Sequence, residues 1–394
     1  MKIYKFLLTI VICSALHAET ALVASPNSVT IMNRQLLVDE RPFVMQGICY
    51  NPVRKGETEQ SGLITINPTK EDLLTIEKDF KMMREAGFNT IRTYRPILHR
   101  QVLDLLSKYQ LKTIVPVYSH YLRDTETDLI QVIEMLKDEP STLLWEIGNE
   151  WNLNHFYTHD STEWILNHLC HPVSDEVKKN ILSYSLVSKE LSNLEGMQII
   201  EHVASLIREK DRLHPISTNI LDPKRISDAI ENHDYYFLSD SIDLYGINVY
   251  DGLSFGSRFD FWKQLSSKPC YIGEFGADAW NQDINDYDPD SQKQADLALL
   301  EEIMNNLSAR DPNNILVGGC IFEWNDEWWK DRTGSADKHD TNGVRPDEGG
   351  PFPDHSFTEE WWGIVDIERN PRPVYDAIKK LYHGNCSFPS RDNQ

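Results

Sequence analysis

The chain has 394 residues, a quarter of them charged, and a formal net charge of −22. A surface that anionic repels nucleic acid and acidic polymers, so neither is expected as a partner. Beyond the first residues no apolar run reaches the ~20 residues that a membrane helix needs, so no membrane span is expected either.

Taken in chain order, Met1, Lys2 and Lys5 precede an apolar run from Phe6 to Ile12, which ends in the small residues Ser14, Ala15 and Ala18. That is the layout of a secretory signal peptide over 1–18, and export to the periplasm or medium is the expectation. Losing Cys13 with it would leave five cysteines without a CxxC spacing, which suggests neither a zinc ribbon nor a complete disulfide framework. Cys49, Cys270 and Cys320 fall in strand-like runs and read as buried free thiols. One catalytic domain is expected over 19–384, followed by a tail at 385–394.

Val29-Thr-Ile-Met and Gln35-Leu-Leu-Val read as a hairpin that closes a barrel floor, ahead of a strand in Pro42–Tyr50. The segment Thr69–Gly87 carries apolar residues at Leu73, Ile76, Phe80 and Met83, a Thr69-x-x-Asp72 capping box and a glycine stop, which predicts an amphipathic helix. Strands and helices then alternate: strand 89–94, helix 98–109, strand 112–118, helix 127–137, strand 143–150. Further strand-like runs are 215–219, 242–250, 269–274 and 315–324, with a last helix at 374–382. Counted from Phe43 there are eight strands, an α/β pattern that predicts a (β/α)8 TIM barrel rather than an open sheet. Long insertions, 151–198 and 325–364, follow the fourth and eighth strands, on the face where barrel active sites lie.

Alternation places Glu146, Gly148 and Glu150 on one face of the fourth strand, and Cys270, Ile272 and Glu274 on one face of the seventh. Glu150 and Glu274 both end their strands. Two inward carboxyls at the rim of one barrel are what glycoside cleavage needs: a protonated acid for the leaving oxygen and an ionised carboxylate at the anomeric carbon. Arg92, on the second strand, would hold Glu274 ionised or else form a buried ion pair with Glu146. Glu150 beside Trp151 would be less solvated and keep its proton longer.

Asp138-Glu-Pro-Ser-Thr-Leu-Leu-Trp-Glu-Ile-Gly-Asn-Glu-Trp151 and Tyr271-Ile-Gly-Glu-Phe-Gly-Ala-Asp278 resemble the acid/base and nucleophile motifs of the large clan of retaining β-glycosidases. The nearest likeness is to the catalytic barrels of the β-galactosidase and β-glucuronidase family, with cellulase, mannanase and glucanosyltransferase barrels as cousins. The resemblance spans about 29–382. It implies Glu150 as acid/base, Asn149 on the sugar 2-hydroxyl, Glu274 as nucleophile, Tyr250 hydrogen-bonding Glu274, and Trp324 as the floor of the subsite at the cleaved bond. It implies a carbohydrate substrate and no cofactor. In this sequence only a hairpin precedes the barrel, without the sugar-binding and immunoglobulin-like domains of that family, so the family's substrate preference does not carry over.

Two other readings compete. Gly252-Leu-Ser-Phe-Gly256 matches a G-x-S-x-G nucleophile elbow and would make Ser254 an esterase nucleophile, although it leaves both glutamates without a role. A carbohydrate-binding barrel without chemistry would be expected to lack one of the two carboxylates. Asp326, Glu327, Asp337, Asp340, Asp347 and Asp354 make the last insertion rich in oxygen without EF-hand spacing, which leaves a calcium site open and assigns no metal.

Overall fold

Eight parallel strands, each hydrogen-bonded to the next in chain order, close when the last pairs with the first: Gly318 to Met45, Cys320 to Gly47 and Ile321 to Ile48. This computed structural model describes residues 28–64, 67–117, 126–154, 174–176, 178–179, 193–222, 238–331 and 333–384. The expected leader at 1–18, most of the first insertion and the expected tail at 385–394 lie outside them. The barrel strands are β1 (Met45–Cys49), β2 (Thr90–Arg92), β3 (Lys112–Val117), β4 (Thr142–Ile147), β5 (Ile216–Leu221), β6 (Leu244–Asn248), β7 (Cys270–Phe275) and β8 (Leu316–Ile321).

Between them run α1 (Lys70–Ala86), α2 (Arg100–Lys108), α3 (Glu126–Leu136), the short α4 (Trp151–Asn154), α5 (Asn193–Lys210), α6 (Arg258–Leu265) and α7 (Pro289–Asn305). The last helix, α8 (Pro373–Gly384), follows β8 and its insertion. In α1 both bonds of the capping box form, and Ile76, Phe80, Met83 and Ala86 are buried along one face. Gly87 ends the helix at φ 100°, where a Cβ would stand 2.8 Å from Tyr382 Cβ of α8. Only glycine permits both that turn and that approach. Among the described residues no helix is long and apolar enough to cross a membrane.

Side chains sort by strand parity. Ile48, Ile91, Val115, Trp145, Tyr245 and Ile272 face outward into the helix layer, whereas Met45, Cys49, Ile114, Leu144, Leu244, Tyr271 and Cys320 fill the barrel. The N-terminal hairpin, Val29–Met32 with Gln35–Val38, turns through Asn33 and Arg34 at φ 51° and 64°, the left-handed pair that a two-residue hairpin demands. Its Val29, Leu36 and Val38 pack with Met45, Leu143, Leu244 and Val317 at the lower end of the barrel. It is fastened there by Val29 N–H to the Leu213 carbonyl (3.1 Å), Arg34 Nε to Ser267 O (3.2 Å) and Gln35 Nε2 to Ser308 O (3.2 Å). Cys49, Cys270 and Cys320 are buried free thiols.

Candidate active site

Both rim glutamates reach their positions by leaving regular strand geometry. Alternation failed on β7: Cys270 and Ile272 face the helices, Tyr271 faces the barrel, and Glu274 would follow Cys270 outward. A register shift between Ile272 and Glu274 against β6 changes the phase, so that Glu274 turns inward and meets Arg92. On the other side β4 ends at Ile147, and the chain then passes through Gly148 at φ 73° and Glu150 at φ 50°. Left-handed backbone at a residue with a Cβ is strained, and such positions cluster where the surrounding structure fixes a functional side chain. The backbone N–H groups of Gly148 and Glu150 donate to the carbonyls of Val117 and Asn219, holding the turn between β3 and β5.

Arg92 is fully buried and connects the two glutamates. Its Nη1 lies 2.6 Å from Glu274 Oε1, its Nε 3.0 and 3.1 Å from the Glu146 carboxylate oxygens, and its Nη2 2.8 Å from Asn149 Oδ1. The two expectations for Arg92 therefore hold together. Tyr94 donates to Glu274 Oε1 at 2.7 Å and Tyr250 to Oε2 at 2.8 Å. Asn248 Nδ2 donates both to Asn149 Oδ1 (3.2 Å) and to Glu150 Oε1 (3.0 Å). One hydrogen-bonded chain thus runs from Glu150 through Asn248, Asn149 and Arg92 to Glu274. Below it Tyr271 donates to Glu146, which is structural as its depth suggests.

Burial by itself would push the Glu274 carboxyl up. The Arg92 charge, the two tyrosine hydroxyls and the Lys330 ammonium outweigh it, and the group sits below the usual carboxylate range. Ionised Glu274 therefore favours the folded state. That contribution is complete above the ordinary carboxylate value and is lost as pH falls through the depressed one. Arg92→Met is expected to cost ~3–5 kcal/mol, the usual result of stripping the partner from a buried charge. Since burial would then dominate and ionising Glu274 would oppose folding, urea unfolding should show a larger cost at neutral than at acid pH.

No protein-family model and no curated protein sequence matches this chain. Solved structures do. A β-glucuronidase of Bacteroides uniformis aligns at a TM-score of 0.57 and 15% identity over 91% of this chain and 37% of its own. A GH2 β-galacturonidase of Eisenbergiella tayi aligns at 0.57 and 16% over 91% and 54%, and a β-D-glucuronidase of Dictyoglomus thermophilum at 0.54 and 16% over 90% and 53%. What this likeness shows is the fold. The chain spans about half or less of the length of these enzymes.

Two aromatic expectations are corrected. Trp324 does not floor a subsite: it is fully buried in the outer layer, with its ring edge-on to Tyr375 of α8, because β8 ends at Ile321 and the chain turns outward. Trp151 does not shield the Glu150 carboxyl. Its ring packs against Gly196 of α5, and its Nε1 donates to Thr218 on the outer side of β5.

The aromatic rings beside the site are instead Phe322 and Trp362, both packed edge-on around Tyr250. Tyr94 and Asn248 had a signal in the sequence, each standing two residues along the strand direction from a named neighbour, Arg92 or Tyr250. Lys330 had none. It lies 4.0 Å over the Phe322 ring and pairs with Glu327 and Glu359. Ser254 stands apart in an exposed loop, its Oγ accepting from Gly256 N–H at 3.0 Å, and among the described residues no histidine hydrogen-bonds to it.

Proposed function

We propose that this chain is an exported retaining β-glycosidase acting on a β-linked oligo- or polysaccharide, with Glu274 as nucleophile and Glu150 as acid/base. The observation that carries the reading is the state of Glu274, a buried carboxylate held ionised by Arg92, Tyr94 and Tyr250 and hydrogen-bonded through Arg92, Asn149 and Asn248 to Glu150. In the first step a Glu274 oxygen bonds to the anomeric carbon while the glycosidic bond breaks, and the Glu150 proton goes to the departing oxygen. In the second, Glu150 takes a proton from water or from a sugar hydroxyl, whose oxygen displaces Glu274 from the same carbon.

Asn149 Oδ1 is occupied by Arg92 and Asn248, so its Nδ2 is the atom offered to the sugar 2-hydroxyl. Phe322, on the barrel side of the end of β8 and backed by Trp362, takes the platform role first expected of Trp324. The neighbour from Bacteroides uniformis is covalently bound to cyclophellitol-6-carboxylate aziridine, which supports a covalent intermediate on this architecture.

Stereochemistry tests the proposal. A retaining pair of carboxyls stands ~5–5.5 Å apart, too close to seat a water between nucleophile and sugar, so two inversions should return the starting configuration. Proton NMR of the first-formed sugar from a β-glycoside is expected to show the β anomer, and transfer to added sugar should compete with hydrolysis. An α first product would overturn double displacement.

A further inference from the structure

Within the insertion after β8, three carboxylates far apart in the chain converge. One oxygen from each of Asp331, Asp340 and Glu360 lies within 4.8 Å of the others. Oxygens of all three also shape the loop: Asp331 Oδ1 accepts from Thr333 N (2.8 Å) and Oγ1 (2.7 Å), Asp340 Oδ2 from Ser335 N (2.8 Å), and Glu360 Oε2 from Asp340 N (2.6 Å). Glu360 is only 1% exposed, yet its Oε1, like Asp331 Oδ2, is buried without a hydrogen-bond partner among the described residues. Among the described residues, Lys330 pairs with Glu327 and Glu359, and His339 Nε2 donates to the Glu360 backbone carbonyl (2.9 Å).

Buried acceptors without a donor cost free energy, and three carboxylates this close repel one another strongly in a medium poorer than water. A cation among them removes both costs. The donors are all oxygen, which suits a hard ion. Ca2+ accepts oxygens at about 2.3–2.6 Å in a flexible geometry, which an irregular loop can offer, whereas Mg2+ at about 2.0–2.1 Å demands a near-octahedral cage. We propose that Asp331, Asp340 and Glu360 form a calcium site that ties the two arms of the β8 insertion together.

The site is placed to hold the wall of the cleft. Glu360 sits in the 3-10 turn Glu359–Trp361, and the Trp361 ring stacks on His339 at 3.5 Å, with Trp328 on the other partner contact at 4.9 Å. Glu359 pairs with Lys330 over Phe322, and Trp362 packs on Tyr250 with ring centres 5.1 Å apart. Calcium here would be structural and would leave the reacting atoms to protein side chains.

The test uses the full chain after chelator treatment, titrated with CaCl2 by calorimetry and followed by thermal melting, with MgCl2 in parallel. One calcium per chain and a Tm that climbs with calcium concentration are expected, along with Tb3+ luminescence sensitised by the adjacent tryptophans and displaced by calcium. Asp340→Asn and Glu360→Gln should each lose the binding heat and the Tm rise while keeping the wild-type circular dichroism spectrum. No calcium binding by the wild-type chain, an equal response to magnesium, or wild-type binding in both variants would overturn the proposal. Should a variant not fold, the wild-type titration decides alone.

Discussion

Glu274→Gln should lower kcat on the order of 10⁶-fold, the scale of losing a covalent nucleophile, with the fold intact. The amide keeps the volume of the carboxylate, its oxygen can still accept from Tyr94 and Arg92 while its NH2 donates to the Tyr250 hydroxyl oxygen, and Arg92 retains the Glu146 carboxylate as counter-ion. What it lacks is a negative oxygen able to attack carbon. Steady-state kinetics on a panel of aryl β-glycosides, alongside circular dichroism and a melting curve, separate lost chemistry from lost structure. Residual turnover within a few hundredfold of wild type, on a folded variant, would remove Glu274 from the nucleophile role.

Glu150→Ala should behave differently, because an acid is needed only where the leaving group is poor. On ordinary sugar leaving groups the loss expected is ~10²- to 10⁴-fold, and on activated phenols much less in the glycosylation step. The position tolerates the change structurally: Glu150 is only half-buried, and its side chain accepts from Asn248, which keeps Asn149 as a second partner. Comparing kcat/KM across phenols of graded acidity is the measurement. A loss of equal size on every leaving group would argue that Glu150 positions substrate rather than transferring a proton.

The barrel was legible because its determinants are local. Each of the eight strand-like runs overlaps its strand and five enclose it, while the strands at 142–147, 216–221 and 270–275 overrun theirs by one or two residues; the capping box of α1 forms as Thr69 and Asp72 predict, and the hairpin bounds agree. Arg92, Asn149, Glu150, Tyr250 and Glu274 do come together. The errors have a common physical origin, which is that strict alternation was extended past the point where regular strand geometry stops. On β7 the register shift puts Glu274 on the face opposite Cys270 and Ile272, where strict alternation would place all three together. On β8 the strand stops at Ile321, so Phe322 faces the barrel while Trp324, nominally of the same parity, faces α8. Lys330 and Trp362 arrive from an insertion without periodicity, and no spacing in the chain joins them to Glu274.

The hairpin beneath the barrel bears on how such a protein can change. It fastens the loops that enter β5, β7 and β8 through Leu213, Ser267 and Ser308, all at the end of the barrel opposite Glu150 and Glu274. Closure of the cylinder is secured from underneath, without the loops that line the cleft. Those upper loops can be lengthened, shortened or recomposed by mutation while the scaffold persists, and over generations what the cleft binds can drift independently of the architecture that presents the two carboxyls.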